Sequence, residues 1–159
     1  MYYPQPGQEG LGLIKAALRS YITADLSAHG LPSVTELLPS GANGVIDEGD
    51  LTEDTPTPLV MFATVGDGQD RGGLVRLLLY VLDRGRGLLL IERVLHRLRK
   101  RLNTTEVALD YLTFPPGTDL VIQHIEASGS SSSLTLPAWR AEGRALYVFL
   151  TVRGFESDF

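Results

Sequence analysis

Between Glu9 and Ala28 the apolar residues Leu11, Ile14, Leu18, Tyr21 and Ile22 recur at three- and four-residue steps. That spacing predicts an amphipathic helix, with Gly30 standing where a C-terminal cap is expected. The pattern then dissolves. From Leu31 to Pro58 the chain is rich in Pro, Gly, Asp and Thr, and it reads as a long loop with one short apolar piece, Gly44-Val45-Ile46, as an edge strand. A loop of such length inside one domain is uncommon and is the first place to look for a contact made in an assembly. Two apolar runs follow, Leu59 to Val65 and Leu74 to Asp83, the second with Val75, Leu77, Leu79 and Val81 alternating onto one face. Both are expected strands, joined by the turn-rich hairpin loop Gly66 to Gly73. Beyond the turn Arg84-Gly85-Arg86-Gly87, residues Leu88, Ile91, Leu95, Leu98 and Leu102 fall on one helical stripe that runs to Asn103. The segment from there to Thr113 reads as irregular or a short strand, ended by Phe114-Pro115-Pro116-Gly117. Leu120 to Ala127 and Arg144 to Arg153 are the last expected strands. The second is central, because it carries branched and aromatic residues on both faces. The connector Ser128 to Ser133 is expected to be flexible, and 154–159 to be a mobile tail. The sum is an α+β fold, two helices packed on one face of a mainly antiparallel sheet, in a single domain spanning 1–159.

With 43% hydrophobic and 21% charged residues, the 159-residue chain can bury a core without help from a disulfide or metal. It has no cysteine, which excludes thiol catalysis, thiolate zinc sites and iron–sulfur clusters. No stretch is long and apolar enough to cross a bilayer, and the opening residues Met1 to Gly7 lack the basic and apolar regions of a secretory signal. The net charge of −5 hides a polarity: residues 1–70 carry −8 and residues 71–159 carry +3. From Asp47 to Asp70 there are seven acids and no base, and from Arg84 to Arg101 seven bases and one acid, Glu92. Runs of this kind are commonly solvated surface. The alternative is a pair of complementary faces on neighbouring subunits, since opposed potentials set register and encounter. Part of the basic crowding is accounted for locally, because the bases crowd toward the helix C-terminus, where cations interact favourably with the helix dipole. With a sequence pI near 5.1 the chain is not expected to hold free DNA at physiological salt.

Motifs for chemistry are sparse. His29, His96 and His124 fall in different elements without metal-ligand spacing. His124 and Glu126 share a strand face two residues apart, which predicts a solvent-facing pair. The Gly66-Asp67-Gly68 opening of the hairpin loop leads into a strand, whereas a dinucleotide fingerprint needs a helix there. No serine-nucleophile elbow is present, and the Asp47-Glu48-Gly49-Asp50 stretch lacks the calcium-loop order. Neither a catalytic residue nor a cofactor is expected. The lone Trp139, beside Pro137 and Arg140, either caps the core or anchors an interface.

The order of these elements resembles the tail terminator and tail-to-head joining proteins of long-tailed bacteriophages. The resemblance rests on the helix Glu9 to Ala28, the proline-bounded strand Pro58 to Phe62, the Arg-containing strand Leu74 to Asp83, the helix Leu88 to Leu102 and the closing strand Gly143 to Val152. It implies a virion protein with no enzymatic activity, made in the host bacterial cytoplasm and placed at the tail–neck junction. There a homo-oligomeric ring, a hexamer, would cap the tail tube protein, stop its polymerisation and meet the head–tail connector or neck protein, while DNA passes its channel without specific binding. On this footing the basic helix face of Arg93, Arg97, Lys100 and Arg101 is expected at a subunit or tube contact. The acids Asp47, Glu48, Asp50, Glu53 and Asp54 are expected to answer it or to face the DNA channel. A small ligand-binding domain or enzyme is the rival class, and another neck or tail-completion protein the nearer one.

Overall fold

The computed structural model describes residues 6–63, 68–69, 74–85, 88–118, 120–130, 134–136 and 140–153. Trp139 and the tail 154–159 lie outside the described residues, as does most of the hairpin loop. The first helix, α1, runs Pro6–Thr23 and stops short of the expected Ala28. At its end Thr23 Oγ1 turns back to donate to the Arg19 carbonyl. Gly30 does adopt the left-handed conformation of a cap, but it closes a short 3-10 turn, Ser27–His29. The loop expected over 31–58 is folded into further 3-10 turns at Val34–Leu37, Gly41–Gly44 and Glu48–Asp50, around the strand β1 at Val45–Asp47.

The remaining elements are β2 (Leu59–Phe62), β3 (Gly68–Gln69), β4 (Leu74–Asp83), α2 (Leu88–Asn103), α3 (Thr105–Tyr111), β5 (Val121–Ser130), β6 (Leu134–Leu136) and β7 (Ala141–Arg153). The sheet order is β1-β2-β4-β7-β5, with β3 paired to β4 and β6 to β7. The β1–β2 pair is parallel and the others are antiparallel, so the expected α+β layer with a mainly antiparallel sheet is what forms. As expected, β1 is an edge and β7 is internal. Two local readings are corrected. The segment after Asn103 is a helix, whose run Thr-Glu-Val-Ala-Leu-Asp-Tyr places buried Ala108 inward at one turn's spacing. Ser128 to Ser130 belongs to β5 and is not part of a connector.

Strand alternation sorts the core. Val60, Phe62, Val75, Leu77, Leu79 and Val81 face the helices and pack with Leu146, Val148 and Leu150 against Ile14, Leu18 and Ile22 of α1 and Ile91, Leu95 and Leu98 of α2. On the opposite face a smaller cluster joins Leu59, Met61, Leu82 and Ala141 to Leu51, which ties the 48–57 loop down on the side away from α2. At the outer edge β5 shifts register against β7 between Ile122 and His124 and again between Ser128 and Ser130. These are bulges.

The ends of α2 are bound to the rest of the fold by side chains. Arg144 of β7 pairs with Glu92 near its start. At its C-terminus the Asn103 amide takes the place of a paired strand residue, donating to the Ala127 carbonyl at 3.0 Å and accepting from the Ala127 N–H at 2.7 Å.

Candidate assembly interface

The solvent side of α2 is built by helical phase. Leu89, Arg93, His96 and Lys100 lie along one line of the helix, opposite the buried stripe, and all four are exposed. Leu89 is 73% exposed, unusual for a leucine in a helix whose other face makes the core. Between this line and the 3-10 turn at Val34–Leu37 runs a groove of about 390 Å³, bounded by Pro32, Leu37, Glu92, Arg93, His96, Arg97 and Lys100. The two acids nearest it are already engaged. Glu36 accepts from Arg97 at 3.0 Å, and Glu92 accepts from Arg144. Arg93, His96 and Lys100 therefore leave the groove an apolar floor and a basic wall.

The four bases expected on this face separate into three roles. Arg93 and Lys100 are exposed as expected. Arg97 is partly committed inside the chain, its Nη1 donating to the Ser33 carbonyl at 3.0 Å as well as to Glu36. Arg101 is corrected outright: it is fully buried and belongs to no face. Its guanidinium donates to the carbonyls of Tyr21, Ile22 and Ala24, at 2.5, 3.3 and 2.5 Å, and also to that of Leu31. In return the Tyr21 hydroxyl donates to the Arg101 carbonyl at 2.7 Å, and the guanidinium carbon sits 5.4 Å from the Tyr21 ring centroid. Arg101 thus acts as a C-cap for α1, taking carbonyls that a helix end leaves orphaned. Burial pushes its pKa below the ordinary arginine value, with Tyr21 and Asp25 opposing. Burial likewise pushes the Tyr21 phenol up, opposed by Arg101.

The expected acids also separate. Asp47 lines a hollow with Lys15 and Arg19 of α1, on the helix side. Glu48 is half-buried, while Asp50, Glu53 and Asp54 are exposed around buried Leu51. The turn that carries them is held by Arg84, whose Nη1 and Nη2 donate to the carbonyls of Thr55 and Thr52 at 2.5 and 2.7 Å, and by Thr55 Oγ1, which accepts from the Thr52 N–H at 3.0 Å. Because Leu51 anchors this turn to the opposite sheet face, the acids Asp50 to Asp54 and the bases of α2 lie on opposite sides of one sheet. Arg84 carries no local signal for this role, because the carbonyls it binds lie about 30 residues earlier in the chain. Leu89 is, with Leu90, a leucine of α2 outside the buried stripe, and it lies on the line of Arg93, His96 and Lys100.

His124 and Glu126 form the expected exposed pair, 3.7 Å apart. Among the described residues no group of three or more His, Cys, Asp or Glu side chains is placed to hold a metal ion. Among the described residues no helix is long and apolar enough to cross a membrane.

Neither a family model nor a curated protein matches the chain. Among solved structures the fold is similar to a chain of the "Virion of native gene transfer agent (GTA) particle", with a TM-score of 0.57 over 89% of this chain and 96% of that one. At 14% identity, that likeness is one of fold.

Proposed function

We propose that this protein is a structural subunit of a virion of the long-tailed bacteriophage type, and within it the tail terminator: a ring that caps the tail tube and meets the head connector. The fold shared with a chain of a gene transfer agent virion, nearly end to end in both, carries this reading. Its charge layout supports it. A ring subunit offers two different surfaces to its two neighbours, and here the exposed acids Asp50, Glu53 and Asp54 lie on the sheet side away from the exposed α2 bases Arg93 and Lys100. In such a ring the chain performs no catalysis. It ends the growth of a polymer by occupying its last surface, and any acids turned toward the channel repel passing DNA phosphate.

Native mass spectrometry across a concentration series, followed by electron microscopy of tail tubes assembled with and without the protein, tests the reading. A closed ring, expected to be a hexamer, and tubes of fixed length capped at one end support it. A protein found elsewhere in the neck reassigns it to another tail-completion role. A protein that neither rings nor binds tubes or particles refutes it.

A further inference from the structure

We propose that neighbouring copies are joined by the acidic turn Asp50 to Asp54 of one copy seated on the Leu89–Lys100 line and groove of α2 in the next. This contact rests on the ring reading above and specifies its surfaces.

Three observations lead to it. First, the groove is positive where it is open, because the acids beside it, Glu36 and Glu92, are bound by Arg97 and Arg144. An occupant that answers Arg93, His96 and Lys100 must bring its own carboxylates. Second, the chain carries such an occupant. Asp50, Glu53 and Asp54 are exposed on a turn pinned at its backbone by Arg84, so the carboxylates are presented without the ordering cost of a free loop. Third, the two patches lie on opposite sheet faces. A two-fold contact needs both patches in one interface, so this pairing can only be heterologous, each copy giving its turn to one neighbour and its helix to the other. Leu89, exposed at the head of the basic line, supplies the apolar anchor that a purely ionic contact would lack, and Pro56, exposed on the same turn, is the apolar surface it meets. Salt screening falls on the rim charges far more than on such an anchor.

The absence of cysteine makes the test direct. In the full chain carrying Leu89→Cys and Pro56→Cys together, mild oxidation is expected to give a ladder of covalent species beyond the dimer on a non-reducing gel. Each single substitution should give none. A covalent dimer from Leu89→Cys alone would mean that α2 faces α2 and would overturn the contact. As a second measure, Arg93→Glu with Lys100→Glu should weaken association at least about tenfold near physiological salt. Mixing that variant with Asp50→Lys, Glu53→Lys, Asp54→Lys should restore it, because reversed helix then meets reversed turn and native helix meets native turn around an alternating ring. Circular dichroism melts that match the parent chain establish that the variants are folded. Rings that form while the double-cysteine chain stays uncrosslinked, or while charge reversal leaves association unchanged, overturn this contact and leave the ring standing. A parent chain that remains monomeric in solution and on tail tubes overturns both.

Discussion

Replacing Arg101 by methionine tests the reassignment of that residue from surface to core. Methionine keeps most of the length and apolar stem but removes every donor, so the carbonyls of Tyr21, Ala24 and Leu31 lose the partner that now closes α1. Each buried carbonyl left unpaired costs about 1–3 kcal/mol. Against this, the folded state no longer has to desolvate a guanidinium, a penalty of several kcal/mol, so the two large quantities partly cancel. About 3–5 kcal/mol of destabilisation remains once the cost of the orphaned carbonyls is set against the relieved desolvation. At roughly 2–4 °C per kcal/mol for a domain of this size, the melting temperature should fall by about 6–20 °C. Thermal and urea unfolding followed by circular dichroism measure this directly. Lys100→Met, one residue earlier on the exposed line, is the internal control and should stay within about 0.5 kcal/mol of the parent. Arg101→Lys should recover only part of the loss, because a single ammonium cannot reproduce the fork that spans α1 and the Leu31 carbonyl. If Arg101→Met shifts the melt by less than about 2 °C, the loss is under about 1 kcal/mol and the capping argument is wrong.

Further outcomes follow from the same packing. An added Cβ at Gly143 would lie 2.3 Å from the Val81 carbonyl oxygen and 2.5 Å from Leu82 Cδ2. Gly143→Ala must therefore push β4 from β7, at a cost of about 1–3 kcal/mol or more in urea unfolding. Asn103→Ala frees the Ala127 N–H and carbonyl together and should cost about 2 kcal/mol, with faster amide exchange at Ala127 as the local signature. The Tyr21 pKa is raised on folding, so its contribution is complete below the ordinary tyrosine value near 10 and is lost as pH climbs through the folded value. Tyr21→Phe should flatten that alkaline fall, and it should also lose about 1 kcal/mol at neutral pH with the bond to Arg101. Asp25 runs the other way. Hydrogen bonds from Ser27 lower its pKa, so its contribution holds above the ordinary aspartate range and disappears as pH falls through the folded value. Asp25→Asn should remove that acid-side slope in a pH series of melts.

The parts of this fold legible in the sequence are those where burial imposes a period. The α2 stripe and the alternation in β4 appear where expected, since each leucine or valine out of phase would have to face water. Short elements escaped for the same reason reversed. The helix α3 is seven residues with one fully buried alanine, too little pattern to separate from irregular chain. The end of α1 lies short of Ala28 because its stop signal is remote. The group that takes its last carbonyls is Arg101, 80 residues from Tyr21. The candidate interface shows the same divide. Charge runs could be counted along the chain, but which charges are spent internally depends on contacts between distant segments, as Arg97 on Glu36 and Arg84 on Thr52 show. Periodicity marks the inward residues, while tertiary contacts decide which of the outward ones are left for a partner.

The irregular pairing of β5 bears on a hazard that exposed sheet edges carry in any concentrated protein. An outer strand of ten residues presents a main-chain template on which sheets of separate molecules can stack into fibres without limit. Two register shifts break that template into short, misaligned stretches, and on the far side β1 offers only three residues. Growth by strand addition is thereby discouraged along β5 and β1, neither of which offers a long unbroken main-chain template.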